Sequence, residues 1–304
     1  MDIAPVDPGM LAFYKELSAR TPPGSEHWPL EKQRTEWNAL CKLFRAPRPP
    51  GLVVEDVIAN GVPARLFQPD REGPWPGVIY GHGGGWVLGG PETHDDMCAE
   101  LAAEAQCAVV LVDYRLAPEH PFPAQLEDSL AVLDWMRAHP QIISTRIIGA
   151  GDSAGGQMTA ALALHLRDHG MAQIQGMVLI YPVLGADLET ASYIRNAHAP
   201  CLTKAEMKFY LDAFFGEAGW TNPYAAPNLA DVGGLPPAFI TVAAHDPLHD
   251  DGVIFHEKLR AAGVASTLRH EPALAHSYLR ARHQSPPAMA SFKAIVAAVR
   301  GMAQ

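Results

Sequence analysis

Cysteine is scarce and poorly placed for chemistry. Cys41, Cys98, Cys107 and Cys201 are widely and irregularly spaced with no C-x-x-C pair, which excludes a disulfide-framed scaffold and a zinc knuckle and leaves buried thiols as the default. No apolar run approaches the roughly 20 residues of a membrane span. The opening Met1-Asp2-Ile3-Ala4-Pro5-Val6-Asp7 has neither the basic nor the apolar region of a secretory signal, so the expectation is a soluble, cytoplasmic protein with no membrane partner. Positive charge is in deficit, 23 Lys and Arg against 33 Asp and Glu, for a formal net charge of −10. A field of that sign repels phosphate, so nucleic acid is not an expected partner, whereas a small neutral or cationic ligand is. The sequence contains no internal repeat and no low-complexity tract.

What remains is an ordinary globular balance, 48% hydrophobic and 18% charged over 304 residues, enough for one large α/β domain with an appended element. Residues 1–46 carry Leu11, Phe13, Tyr14, Leu17 and then Trp37, Leu40, Leu43, Phe44 at helical spacing, broken by Thr21-Pro22-Pro23-Gly24. This pattern predicts two short amphipathic helices ahead of the first strand. Asn60-Gly61 between Val53–Asn60 and Pro63–Gln68 reads as a hairpin turn.

Strand candidates then alternate with helical patterns. The strands are Val78–Tyr80, Ala108–Tyr114, Arg146–Ala150, Gly176–Tyr181, Ala238–Ala243 and Ala265–His270; the helices include Ala124–Ala138, Ala154–Arg167 and Asp251–Ala262. That rhythm predicts a mostly parallel sheet with helices on both faces and functional groups at the carboxyl ends of the strands. The stretch 185–229 breaks it, being long and aromatic, and suits a lid or pocket wall as well as a core helix.

Gly151-Asp152-Ser153-Ala154-Gly155 lies between an apolar strand pattern and a run of helix formers. Strand, tight turn and helix are what a nucleophile elbow requires, and the flanking glycines let the turn form while Ser153 stands clear of the sheet. The pentapeptide is only moderately specific alone. Upstream, His82-Gly83-Gly84-Gly85-Trp86 follows a strand; glycines there bring backbone N–H groups close to a substrate oxygen, so Gly83 and Gly84 are expected to join Ala154 as an oxyanion hole. A Ser hydroxyl needs a base, and the base an orienting acid. His276 after the last strand and Asp246 after the one before it give the order Ser, Asp, His. His245 and His249 near Asp250 and Asp251 resemble a metal cluster, but Pro247 breaks the helix that would align them; no metal or cofactor is expected. Asp250 and Asp251 fit helix N-terminal carboxylates. Glu119, His120 and Asp152 are read as structural.

With these residues in place the chain resembles the hormone-sensitive-lipase family of α/β-hydrolases, in its bacterial esterase branch, over about residues 50–300. The matching stretches are His82–Gly90, Asp113–Ala124, Gly151–Gly156 and Asp246-Pro247-Leu248. The resemblance implies Ser153, Asp246 and His276 as triad and Gly83, Gly84 and Ala154 as oxyanion donors. It also implies an α/β-hydrolase domain over 47–304, with a cap built from helices in 1–46 and an inserted segment at about 185–229. A homodimer is common in that family. The chain departs from the usual pattern at Gln157, where Asn is usual, and at Ser277-Tyr278, where Gly-Phe is usual.

The activity this implies is serine carboxylesterase chemistry on a small-molecule ester. Trp86 beside the oxyanion loop, together with Phe13, Tyr181, Phe209, Phe214 and Tyr278, is expected to form a short aromatic pocket that favours acyl chains of about two to six carbons. Lys204, Glu206, Lys208, Asp212 and Glu217 in the lid segment suit a water-facing surface better than one opening onto lipid. Lactone or amide hydrolysis by the same triad stays open, since all pass through similar oxyanions. A ligand receptor on the same fold, like the plant gibberellin receptors, is the rival from another class; those lack the catalytic His, which here stands as His276.

Overall fold

The computed structural model describes residues 6–22, 24–216 and 220–304. Met1 to Pro5, Pro23 of the helix break and Glu217 of the lid segment lie outside the described residues.

The two helical patterns near the start fold as α1 (Leu11–Arg20) and α2 (Leu30–Phe44). The hairpin follows as β1 (Leu52–Ala59) and β2 (Val62–Pro69), turning through Asn60 and Gly61, both at positive φ (50° and 91°), the geometry Asn-Gly accommodates. The α/β alternation then runs β3 (Trp75–Gly81), α3 (Pro91–Ala105), β4 (Ala108–Val112), α4 (Ala124–Ala138), β5 (Ile142–Asp152), α5 (Ala154–Asp168) and β6 (Met177–Ile180). It continues, after the inserted α6 (Ala191–Arg195) and α7 (Lys204–Phe215), with β7 (Ala238–His245), α8 (His249–Ala261), β8 (Ser266–Ala275) and α9 (Pro286–Met302).

These strands form one eight-stranded sheet in the order β1-β2-β4-β3-β5-β6-β7-β8. β1–β2 and β2–β4 pair antiparallel, and every other neighbour is parallel. The fold is therefore α/β, a mostly parallel sheet covered on both faces. The strands show why. Val78 and Tyr80 of β3 and Val109 and Leu111 of β4 face one apolar layer that includes residues of α1, α3 and α9. Ile79, Val110 and Val112 face the other, built from α4, α5 and α8. Strands apolar on both sides cannot face water, so each needs a helical layer.

The helix α7 is tied into the second layer: Met207, Leu211, Phe214 and Phe215 are all buried in it. Its start is fixed by a capping box in which Thr203 accepts from the Glu206 N–H and Glu206 reaches back to Thr203. Among the described residues no helix is long and apolar enough to cross a membrane.

Candidate active site

The elbow between β5 and α5 is tight because its glycines touch backbone. A Cβ on Gly155 would lie 1.8 Å from the Gly81 carbonyl oxygen, and one on Gly151 would lie 2.3 Å from the Gly155 oxygen. Glycine alone lets α5 start this close to the strand ends. The strain falls on Ser153, held at φ 54°, ψ −115°. Its N–H bonds to the Ile180 carbonyl at 2.9 Å, and its Oγ is raised above the sheet.

The loops after β7 and β8 complete the constellation. Ser153 Oγ lies 3.0 Å from His276 Nε2, and His276 Nδ1 lies 2.7 Å from Asp246 Oδ2. With Nδ1 protonated toward the carboxylate, Nε2 is left as the acceptor for the serine hydroxyl. Asp246 is fully buried and its second oxygen accepts from the Leu248 N–H at 2.9 Å, so it has one orientation. Asn196 of the inserted segment braces the same loop, donating to the Asp246 carbonyl at 2.8 Å and the Ala244 carbonyl at 3.1 Å. Nothing in sequence spacing points to Asn196. The ring of Tyr181 meets His276 edge-on with centroids 4.9 Å apart.

Gly83 departs from the sequence expectation. Its N–H donates to Asp152 Oδ1 at 3.1 Å, and a Cβ there would sit 2.5 Å from the same carboxylate. That N–H is committed to the protein. The N–H groups of Gly84, Gly85 and Ala154 have no partner among the described residues, and Gly84 and Gly85 border the same cavity as Ser153 and His276. The available donors thus sit one residue further along the loop.

Asp152, read as structural, is the hub beneath this loop. It is 4% exposed and receives the Tyr80 hydroxyl at 3.0 Å and the more distant Tyr181 hydroxyl at 3.4 Å in addition to the Gly83 N–H. Burial works to raise its pKa, but the Arg280 charge and the Tyr80 hydrogen bond hold the carboxyl well below the usual range. Arg280 donates to His94 Nε2 at 2.7 Å and to the Thr93 carbonyl. An arginine can only donate, so Nε2 is unprotonated and Nδ1 donates to Thr93 Oγ1, 2.8 Å away. His94 is therefore neutral, in line with the downward push that burial and then Arg280 give it. The charge facing Asp152 comes from Arg280. His82 is likewise neutral, pushed down to about 3 by burial, and stacks on Tyr114 at 4.0 Å.

Of the expected pocket residues, the structure brings only Trp86 to the cavity at Ser153. Its indole N–H donates to Gln157 Oε1 at 3.0 Å, and Gln157 Nε2 donates to the Tyr224 carbonyl at 2.7 Å, so the departure at Gln157 fixes the orientation of Trp86. Phe214 stacks beneath Trp86 at 3.8 Å but is itself fully buried and off the cavity. Phe13 is fully buried in the opposite layer against Phe44. Phe209 packs edge-on against Tyr210 on the cap side, outside the cavity lining. Tyr181 acts on His276 from behind, and the Tyr278 hydroxyl is bonded to Thr241 and Ser291. Phe13 and Phe214 are turned into a core by their helical phase, whereas Phe209 is only half-buried. The walls that sequence reading did not single out include Val183, Leu202, Met207 and Tyr210.

The remaining candidates are structural. Glu119 makes a bidentate ion pair with Arg34 of α2, at 2.7 and 2.8 Å. Asp250 and Asp251 lie in the first turn of α8 as expected, yet their oxygens take the N–H groups of Ser192 and of Leu184 and Gly185, tying the inserted segment to α8.

Known proteins agree with this architecture. The family profile described as alpha/beta hydrolase fold matches residues 78–280. Carboxylesterase NlhH of Mycobacterium tuberculosis is 41% identical over 267 residues, covering 79% of this chain and 81% of that protein. An ethyl acetate hydrolase of Pseudomonas putida is 33% identical over 228 residues, 72% of each chain. Among solved structures, an esterase from the bacterial hormone-sensitive lipase family superposes with a TM-score of 0.91 at 28% identity, over 99% of this chain and 100% of that one. The chain belongs to the hormone-sensitive-lipase family of α/β-hydrolases and is a carboxylic-ester hydrolase.

Proposed function

We propose that the chain hydrolyses short-chain carboxylic esters through Ser153, His276 and Asp246. The observation that carries the reading is the continuous bond path from Ser153 Oγ through His276 to Asp246, at 3.0 and 2.7 Å. It opens into a cavity of only about 40 Å³ bordered by Trp86, Val183, Leu202, Met207 and Tyr210.

Ser153 Oγ attacks the ester carbonyl carbon while His276 Nε2 takes its proton. The carbonyl oxygen becomes an oxyanion received by the N–H groups of Gly84, Gly85 and Ala154, preorganised donors in a site shielded from water. The tetrahedral centre collapses, the C–O bond to the alcohol breaks, and the alcohol leaves with the proton from His276. Water repeats the sequence on the acyl-enzyme, giving the acid and free Ser153. Asp246 holds the imidazole tautomer and stabilises its charged form. Asp152, with its charge set against Arg280, positions the oxyanion loop through Gly83.

A cavity of this size suits a short acyl chain, and the relative named as an ethyl acetate hydrolase supports a short-chain ester. Each methylene accommodated on apolar wall adds about 0.8 kcal/mol until the wall is met. The apolar face of α7 is already buried, while its outer face carries the pairs Lys204–Glu189 and Lys208–Asp212, so this helix presents charge rather than an apolar surface to solvent.

The test is kcat/KM on p-nitrophenyl esters from acetate to palmitate, with covalent labelling by an organophosphonate. An optimum at about two to six carbons, no rate jump above substrate solubility, and labelling lost in Ser153→Ala are expected. Ser153→Ala should lower turnover by about 10⁴-fold or more with the fold intact. A long-chain optimum, or near-normal turnover without Ser153, would sink the reading.

A further inference from the structure

Between the Leu17–Glu26 stretch and the inserted segment lies a second cavity, of about 650 Å³ and open to solvent. A smaller one follows it inward, sharing Leu17, Thr21, Glu26, Cys201 and Glu206 with the outer cavity and Trp37, Leu202 and Tyr210 with the cavity at Ser153. Cys201 borders all three. They make a graded route from solvent to the nucleophile, wide outside and narrow at the serine.

The middle cavity is lined by charge of one sign, Glu26 and Glu206. Glu206 looked water-facing in the sequence, but it turns inward and borders both the outer and middle cavities, as does Glu26. Glu206 is held by its capping bonds to Thr203. Glu26 has one weak contact, His27 Nε2 at 3.8 Å, and that His side chain is 81% exposed. The cations at the rim are already paired outward, Lys204 with Glu189 and Lys208 with Asp212, each at 2.6 Å. Arg280, over the Trp37 ring, borders none of the three cavities and is bonded to His94 and Thr93. Lys32 lies over Trp28 and also borders none of them. His198 lines the outer cavity alone.

We propose that Glu26 and Glu206 make this route selective for charge, so that the enzyme prefers esters carrying a cationic ammonium a few atoms from the carbonyl over neutral isosteres, and neutral ones over anionic. The inference rests on the esterase reading above and names its substrate class. The two carboxylates act on one another and on what lies between them. Burial and, less strongly, Glu26 push the Glu206 carboxyl up, while its bonds to Thr203 and then His276 pull it back. A cation in the route relieves the repulsion; a carboxylate adds to it. In a partly solvated channel a unit charge at such range shifts binding by about five- to tenfold, and salt weakens the effect.

The experiment is kcat/KM by pH-stat on three acetates of similar size: acetylcholine, 3,3-dimethylbutyl acetate and 4-acetoxybutanoate. The ratio to the neutral ester is the readout, measured in the parent, Glu26→Gln and Glu206→Gln at low and high salt. Gln retains the capping capacity of Glu206, and the Glu26 side chain carries no fold-critical bond. We expect acetylcholine to exceed the neutral ester about five- to tenfold, mainly through KM, and 4-acetoxybutanoate to fall below it. Each Gln should cut the preference about two- to threefold, and high salt should erase most of it. Equal kcat/KM across the three esters, or a ratio unmoved in Glu26→Gln, overturns the inference while leaving the esterase reading standing. No turnover of any of the three, nor of p-nitrophenyl acetate, overturns both.

Discussion

The floor and the roof of the site are built on different physics. The floor, made of strand ends and the loops after β3, β5, β7 and β8, is a closed network. Ser153, His276, Asp246, Asp152, His94 and Arg280 are all buried, and each is bonded to another member of the site or to backbone beside it. The roof, made of α1, α2 and the 185–229 segment, touches the cavities mainly with side chains such as Trp37, Met207 and Tyr210, and encloses the larger outer space. Buried charged networks tolerate few alternatives, because an orphaned charge costs several kcal/mol, whereas apolar walls can be reshaped by one residue. On the function proposed above, chemistry belongs to the floor and selectivity to the roof, and substitutions in the two should fail differently.

The largest effect is expected in the floor. Asp246→Asn should cut kcat by about 10⁴-fold, since an amide stabilises the wrong imidazole tautomer. Asp250→Asn, four residues on, should leave turnover near normal and cost about 0.5–2 kcal/mol in denaturant melts. Equal kinetic losses at both positions would erase the distinction between catalytic and tying carboxylates.

At the joint between floor and roof, Gly85 has φ 60° and a Cβ there would lie 2.4 Å from the Tyr210 ring. Gly85→Ala should lower kcat by about 10²-fold by displacing a proposed oxyanion donor. Adding Tyr210→Ala should recover part of that loss by making room. Failure of the second change to help would place the damage in the backbone alone.

In the roof proper, Met207→Ala should shift the acyl optimum to longer chains by about two carbons, with less than about tenfold loss on acetate. An unchanged optimum with collapsed turnover would make Met207 part of the floor.

The smallest effect concerns the tie between roof and floor. Burial pushes the Asp251 carboxyl up to about 7. The folded chain therefore keeps a proton that the unfolded chain loses above about 4. Between those values the folded state binds more protons, so this group's contribution falls as pH rises and the penalty is complete above about 7. Asp251→Asn cannot ionise and lacks that slope, so its Tm relative to the parent should rise across pH 4–7. A pH-independent difference would show that Asp251 is ionised throughout.

Much of the floor was legible in the sequence because its signals are local. The elbow needs glycine at Gly151 and Gly155 for contacts within a few residues or with the adjacent strand, and Asp246 and His276 follow strands whose apolar runs announce them. Asn60-Gly61 named its own turn. The roof was less legible. An aromatic at helical spacing reveals a buried face but not which cavity or core it meets, so Phe13, Phe209 and Phe214 were read as pocket while Met207 and Tyr210 were placed only in a segment that suits a lid, pocket wall or core helix.

The sequence by itself determined the α/β class, the acidic net charge, and Ser153, Asp246 and His276 as candidates in that order, because each is carried by composition or by residues close along the chain. Only the tertiary structure decided which glycine N–H groups are available. Gly83 is withdrawn by Asp152, 69 residues away. Likewise His94 meets Arg280 across 186 residues, and Glu26 joins Glu206 along one route. Hydrogen bonds and fields act through space, and no pattern along the chain records which distant partner will reach a group first.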